Sequence, residues 1–282
     1  MTKSIPMLRQ PETIFIKPST GLAALNLRDV WLYRELVLFM IWRDIKVRYK
    51  QTLLGAAWAV IQPVLTMLVF NFVFGTIAKV PTEGIPYPIF SYVALLPWGL
   101  FSAALNNASR SLTTNQNMVT KIYFPRLVLP LASVLGGLVD FAIAFLILIV
   151  MMIYYKITPT SAIWTLPLFL ILTVVTALGV ALWLSAINVQ YRDVNYVLPF
   201  LTQFWLLLTP VAYSAKVISD KWQIVYSLNP MAGVVNGFRW ALLGTNTGPD
   251  IYMAVSVGIA LLFLISGLFY FRSMERTFAD TI

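Results

Sequence analysis

Apolar residues run through this chain in long blocks, and charged residues mark where each block stops. Charge-free stretches cover residues 51–78, 84–109, 157–191, 194–215 and 251–271, and a further one, 127–155, is broken only by Asp140. A helix of about 20 apolar residues crosses a hydrocarbon core roughly 30 Å thick, and in lipid a helix satisfies its own backbone hydrogen bonds. The pattern predicts an all-α integral membrane protein with six transmembrane helices, over residues 52–78, 88–110, 128–155, 163–187, 196–213 and 251–271.

Two stretches fit neither span nor loop. Residues 25–50 are dense in large apolar side chains, among them Trp31, Leu36, Phe39 and Trp42, yet the longest uncharged run there, Leu36 to Trp42, is too short to cross. Interspersed charge of this kind predicts an amphipathic helix in the interface plane. Residues 214–249 contain the apolar run WQIVYSLNPMAGVVNGF, broken by Asn229, Pro230, Gly233 and Gly237. It predicts two short re-entrant helices in the outer leaflet, because broken backbone at that depth has to be covered by protein or line a wet cavity. The spacing of Gly233 and Gly237 matches GxxxG, a weak signal of helix contact. Residues 1–24 and 277–282 read as cytoplasmic tails, the first without regular structure or an assignable role.

Charge then orients the chain. The net charge of +9 would suggest nucleic acid in a soluble protein, but here lysine and arginine are first topology signals. Arg43, Lys46, Arg48 and Lys50 precede the first span; Arg110, Lys121 and Arg126 lie between the second and third; Arg192 follows the fourth; Arg272 and Arg276 follow the sixth. Those ends are cytoplasmic by the positive-inside bias, and both termini with them. The opposite loops hold only Lys79, Lys156, Lys216, Lys221 and Arg239.

Composition removes whole classes of chemistry. With 59% hydrophobic and 11% charged residues and a mean hydropathy of +0.80, the chain is far from a soluble domain. It has no cysteine and no histidine, so it lacks the usual thiolate nucleophile, general base and commonest metal ligands. No GxxxxGK[ST], GxSxG or HExxH motif occurs, so any ATP hydrolysis has to come from a partner.

Three features carry candidate function. Asp140 is the one ionisable residue well inside a span; it reads either as a relay or ion site, or as a structural acid bonded to neighbours such as Asn106, Asn107 or Gln203. Tyr196, Phe200 and Phe204 recur at i, i+4, i+8 along the fifth span, and Trp58, Gln62 and Thr66 do so along the first, with Phe70 and Phe74 continuing above. Such faces suit either helix packing or sliding contact with sugar rings, whose faces are apolar. The basic group Arg43, Lys46, Arg48 and Lys50 serves either anionic lipid headgroups and topology or a phosphate-bearing substrate, for which arginine's planar fork is suited.

The order of these parts resembles a known family. An interface helix, then RDIKVRYKQTLLGAAWAVIQP entering the first span, NMVTKIYFPRLVLP before the third, NVQYRDV before the fifth and SLNPM in the broken outer segment are similar to the permease subunits of ABC-2 type polysaccharide exporters. Nearest are exporters of lipid-linked O-antigen, with capsule and teichoic-acid exporters as relatives. The resemblance makes residues 51–276 the transmembrane domain of a non-enzymatic bacterial inner-membrane permease. It implies a homodimer paired with two copies of a P-loop ATPase, which binds the ATP and Mg²⁺; this chain holds no cofactor or metal and takes no nucleic acid. The implied cargo is a polysaccharide on undecaprenyl diphosphate, moved from the cytoplasmic to the outer face.

The resemblance also distributes roles. Arg43, Lys46, Arg48 and Lys50 would gather the carrier head, with Leu54 and Gly55 shaping the entrance. Trp58, Gln62, Phe70, Phe74, Tyr196, Phe200, Phe204 and Tyr213 would form the polysaccharide channel. Asn117, Lys121, Tyr123, Arg126, Tyr191, Arg192 and Asp193 would meet the ATPase, and Trp222, Tyr226 and Pro230 would close the outer gate. The rival readings are a drug or lipid permease of the same superfamily and an ion-coupled secondary transporter, which needs several ionisable residues near the midplane.

Overall fold

The computed structural model of the protein describes residues 27–50, 55–245 and 248–281, and all regular structure in them is helical. The N-terminal tail and Leu54 lie outside the described residues. Helices α1 (Leu27–Leu32) and α2 (Arg34–Lys50) lead to a short turn at Gly55–Ala57 and then α3 (Trp58–Phe70), which continues through a π-helical stretch to Ile77. Next come α4 (Tyr87–Ser109), the short α5 (Ser111–Thr114) and α6 (Gln116–Lys121), α7 (Val128–Tyr154) and α8 (Leu166–Gln190). The chain ends with α9 (Val194–Leu208), α10 (Asp220–Ser227), α11 (Pro230–Leu243), α12 (Ile251–Met274) and α13 (Phe278–Thr281).

Side-chain contacts define the two ends of the bundle. At one end Asn188, near the close of α8, donates to the Ser109 carbonyl at the close of α4 (2.9 Å), and Asn195 at the start of α9 donates to the Asn188 side chain (3.0 Å). At the other end Tyr87, the first residue of α4, donates to the Ala212 carbonyl just beyond α9 (2.7 Å), and Thr160, ahead of α8, donates to the Ala241 carbonyl on α11 (2.8 Å). Helix α9 therefore begins beside the end of α4 and finishes beside its beginning, so it traverses the bundle.

Among the described residues, five helical segments are long and apolar enough to cross a membrane, and α9 is not among them. Its 15 residues span only about 22 Å. The predicted fifth span, 196–213, is corrected here: helix stops at Leu208, and residues 209–214 complete the passage as irregular backbone. The cause is Pro210, which lacks an amide hydrogen and pushes the residue before it out of the helical region; Thr209 sits at φ −96°, ψ 141°.

Small residues set the closest helix contact. A Cβ built on Gly179 of α8 would lie 2.6 Å from the Leu264 nitrogen of α12, so the two backbones touch where lipid offers no hydrophobic drive for association. One turn on, the Trp183 ring stacks on Tyr270 at 4.2 Å between centroids, and its Nε1 donates to Ser266 Oγ (3.2 Å). The GxxxG pair does mark contacts: a Cβ on Gly233 would meet Ser256 of α12 at 2.6 Å, and one on Gly237 would enter the Phe169 ring of α8. Helix α11 is consequently buried among α4, α8 and α12, while α10 exposes Trp222, Ile224 and Val225.

Helix α2 packs along α7. Its Val37 and Met40 share a core with Val128, Leu129 and Ala132 at the start of α7, and its Arg48 and Tyr49 reach Asp140 further along the same helix. It is thus inclined along the first half of α7, with Trp31, Leu38, Phe39 and Trp42 exposed on its outer side. The predicted C-terminal tail is also partly docked: Phe278 is fully buried against Phe271 (5.2 Å between ring centroids) and under the Arg126 guanidinium.

Replacing Gly179 with alanine should force α8 and α12 apart and cost about 1–3 kcal/mol, the usual penalty of overpacking. Gly258→Ala, where a Cβ meets nothing within 4 Å, should leave stability unchanged. Thermal unfolding of the detergent-solubilised protein distinguishes the two.

Candidate functional site

Between α3, α4 and α7 lies a cavity of about 570 Å³, closed at one end by the tip of α2. Its lining includes Arg48, Tyr49, Gly55, Trp58, Gln62, Thr66, Asn106, Asn107, Gly137, Asp140 and Phe141. The entrance residues Arg48 and Gly55 and the channel residues Trp58 and Gln62 thus come together in one wall. Spacing explains this: residues 58, 62 and 66 fall on one helical face, and Thr66 Oγ1 stays there while donating back to the Gln62 carbonyl (2.9 Å). Pro63 is accommodated within continuous helix. The stripe then drifts off the cavity, so Phe70 packs on the main core and meets Phe74 edge to face at 5.5 Å.

Gly55 is needed for its backbone. Its φ is +47°, in the left-handed region that favours glycine, and a Cβ there would have only the Tyr49 carbonyl nearby, at 3.6 Å.

Asp140 is not bonded to Asn106, Asn107 or Gln203. Arg48 donates to its Oδ2 and Tyr49 to its Oδ1, so the carboxylate inside the span is held from the end of α2. Asn106 instead donates to the Ser102 carbonyl (2.8 Å), and Gln203 is exposed on α9. The Tyr49 hydroxyl is pushed up to about 12, by burial first and by its bond to Asp140 next; it stays a neutral donor at any physiological pH. The other basic residues part company from Arg48. Arg43 donates to Asn115 Oδ1 (2.8 Å) and pairs with Asp44 (2.8 Å), Lys46 sits over the Trp42 ring at 4.5 Å, and Lys50 is exposed.

The ladder on α9 faces outward. Tyr196, Phe200 and Phe204 are 84%, 72% and 51% exposed, and the last two rings stack at 6.2 Å. The opposite face of α9 is packed, with Trp205 edge-on to Phe101 at 5.0 Å and Leu206 reaching the cavity rim. Within one chain the α3 stripe and the α9 ladder do not share an enclosed passage.

At the end where α9 finishes, every carbonyl of the irregular segment has a donor. The carbonyls from Leu207 to Ser214 accept, in order, from Tyr213 Oη, Asn229 Nδ2, Val211 N, Arg239, Arg239, Tyr87 Oη, Arg239 and Val217 N. Arg239 supplies three of these, at 2.5, 2.7 and 2.9 Å, and is 2% exposed with its guanidinium over the Phe90 ring at 3.6 Å. Sequence reading placed Arg239 in a loop as a topology charge; it is the clamp of this end, and its only signal was an arginine inside an apolar, proline-started helix.

Asn229 is the second residue missed. It caps α11 through Met231 N (3.0 Å) and accepts from Trp205 Nε1 (2.8 Å). Of the predicted gate, Pro230 begins α11 and is buried, Trp222 is exposed, and Tyr226 lies 3.4 Å from the Tyr213 hydroxyl.

The predicted ATPase-facing residues gather at the opposite end. Asn117, Lys121, Tyr123, Tyr191, Arg192 and Asp193 are exposed there. Arg126 turns inward and donates to the Glu275 carbonyl and, through its backbone amide, to the Glu275 carboxylate (3.2 Å).

A bundle with a cavity carrying polar groups beneath the tip of an N-terminal helix, and a clamped break at its far end, defines a multi-pass membrane protein with a discontinuous crossing helix. The ABC-2 type transporter family model matches residues 35–243, and the chain belongs to that family. It is similar to the O-antigen export system permease protein RfbA of Myxococcus xanthus, 29% identical over 90% of this chain and 98% of that protein. RfbA of Klebsiella pneumoniae is 26% identical over 88% of this chain and 95% of its own length. The polysialic acid transport protein KpsM of Escherichia coli is 22% identical over 83% and 91%.

Arginine's fork, not its charge alone, fills the outer clamp. Arg239→Lys should therefore leave carbonyls among residues 210, 211 and 213 without donors, each costing about 1–3 kcal/mol. Hydrogen–deuterium exchange should show that segment losing protection while α8 and α12 keep theirs.

Proposed function

We propose that the chain is the membrane subunit of an ATP-driven exporter of polysaccharide, of the O-antigen type, carried on undecaprenyl diphosphate from the cytoplasmic to the outer face of the bacterial inner membrane. The observation that carries this reading is the exposed ladder Tyr196, Phe200 and Phe204 on a helix that traverses the bundle. Three aromatic rings at successive turns, left uncovered by their own chain, offer a sliding face to sugar rings. They become the wall of a passage when a second copy encloses them. The names of the similar permeases from Myxococcus and Klebsiella support the O-antigen cargo; those of the Escherichia relatives favour a capsule-type polymer as the second reading.

In this reading a separate P-loop ATPase docks on α2 and on the exposed residues between α6 and α7 and between α8 and α9. Both termini lie on its side of the membrane. ATP binding and hydrolysis drive the change by favouring one state of the dimer through contacts the other lacks. The cavity at the tip of α2 admits the carrier head, with Arg48 as its phosphate ligand and Trp58 and Gln62 beside the first sugars. Arg43, Lys46 and Lys50 surround the approach. At the outer end α10 and α11, with Trp222 and Tyr226, shut the passage at rest.

The double variant Phe200→Ala, Phe204→Ala should lower polymer export about tenfold or more, as expected from losing two stacking contacts worth about 0.5–1.5 kcal/mol each, while ATP turnover by the assembled complex changes less than twofold. Export is read as surface polymer in a strain lacking the native permease. Normal export by the double variant would remove the ladder from the mechanism.

A further inference from the structure

Among the described residues the cavity wall carries one cation and one anion, Arg48 and Asp140, bonded to each other. Neither is sealed away: their side chains are 34% and 26% exposed. The carboxylate has a second donor on its other oxygen, the Tyr49 hydroxyl. Around them the wall is amide and aromatic, with Gln62, Asn106, Asn107, Trp58 and Phe141. A carboxylate within an apolar span is costly unless its partners repay the desolvation, and partial exposure on the cavity lowers that cost for both members of the pair. The same exposure turns the pair toward the space into which a ligand fits.

A guanidinium favours diphosphate over carboxylate, because a diphosphate brings more charge and more acceptor oxygens to the same planar fork. Exchange also requires a place for the displaced anion, and Tyr49 provides it. Its phenol remains protonated at physiological pH, so Asp140 keeps one strong donor when Arg48 turns away. The geometry points to an anion-exchange site: Asp140 occupies Arg48 while the cavity is empty of cargo, and the diphosphate head of the lipid carrier displaces it, leaving the carboxylate on Tyr49. This rests on the carrier-linked cargo proposed above and adds its regulation. Asp140 becomes a built-in competitor that limits how tightly the head is held and returns to Arg48 as the head moves on. The same three residues join α2 to α7, so the exchange loosens the contact between the helix nearest the ATPase and the cavity.

The test uses the permease assembled with its ATPase in lipid nanodiscs and farnesyl diphosphate as probe, with affinity measured by calorimetric titration. Asp140→Asn, which removes the competitor, should bind the probe about tenfold tighter. Tyr49→Phe, which leaves the displaced carboxylate without a donor, should bind it about threefold weaker. Arg48→Gln should lose measurable binding, and inorganic pyrophosphate but not farnesol should compete with the probe in the wild type. If Asp140→Asn and Tyr49→Phe both weaken binding, or Tyr49→Phe leaves it unchanged, Asp140 is a structural anchor and the exchange is refuted, while the head site at Arg48 stands. Should Asp140→Asn fail to assemble, the Tyr49→Phe result decides alone. Unaltered binding by Arg48→Gln, or competition by farnesol equal to that by pyrophosphate, overturns the head site itself and the exchange with it.

Discussion

With no water in the hydrocarbon, every backbone amide and carbonyl must find a partner inside the protein, and most of this structure follows from how that demand is met where helix fails. The long helices meet it by themselves. The passage after α9 does not, because Pro210 ends the helix before the crossing is complete. Five carbonyls, those of Leu208, Pro210, Val211, Ala212 and Tyr213, then take their donors from other elements. That need accounts for an arginine with no carboxylate partner at 2% exposure, for the docking of α11 between α4, α8 and α12, and for the tyrosine that opens α4.

The two ends of the molecule use arginine in opposite ways. Where α9 finishes, Arg239 is held by fixed carbonyl dipoles, which belong to the fold and cannot be exchanged for a ligand. At the α2 end Arg48 is paired with the Asp140 carboxylate in a wall that opens on a cavity, where, in the exchange proposed above, another anion takes its place. A clamp and a replaceable pair are therefore built from the same side chain, and the difference lies in whether the acceptor is backbone or a titratable group beside open space. Between them runs α9, packed on one face and bare along its aromatic ladder, so that the surface most suited to a sugar polymer is the one a single chain leaves uncovered.

Much of the architecture is legible in the pattern of charge along the chain. Uninterrupted apolar blocks can only be spans, and the five long helices begin and end within a few residues of the charges that bound them. The glycine pair in α11 and the broken outer segment are visible as well. The stripe of Trp58, Gln62 and Thr66 appears from spacing alone, because helical periodicity is a local property.

Other features depend on residues far apart in sequence, and no local pattern carries them. Asp140 announced itself as a buried charge needing a partner, but whether that partner came from α4, α9 or α2 was decided by the tilt of α2 along α7. Arg239 looked like an outer-loop charge because sequence shows its sign and not the carbonyls 26 to 29 residues away that it serves. Phe70 extended a stripe in the sequence, and the rotation of the helix set it against the main core. Hydrophobicity and charge are properties of each residue and so determined what crosses the membrane and where it stops. Which side chains meet is a property of how the helices lean on one another, and only the tertiary structure decided it.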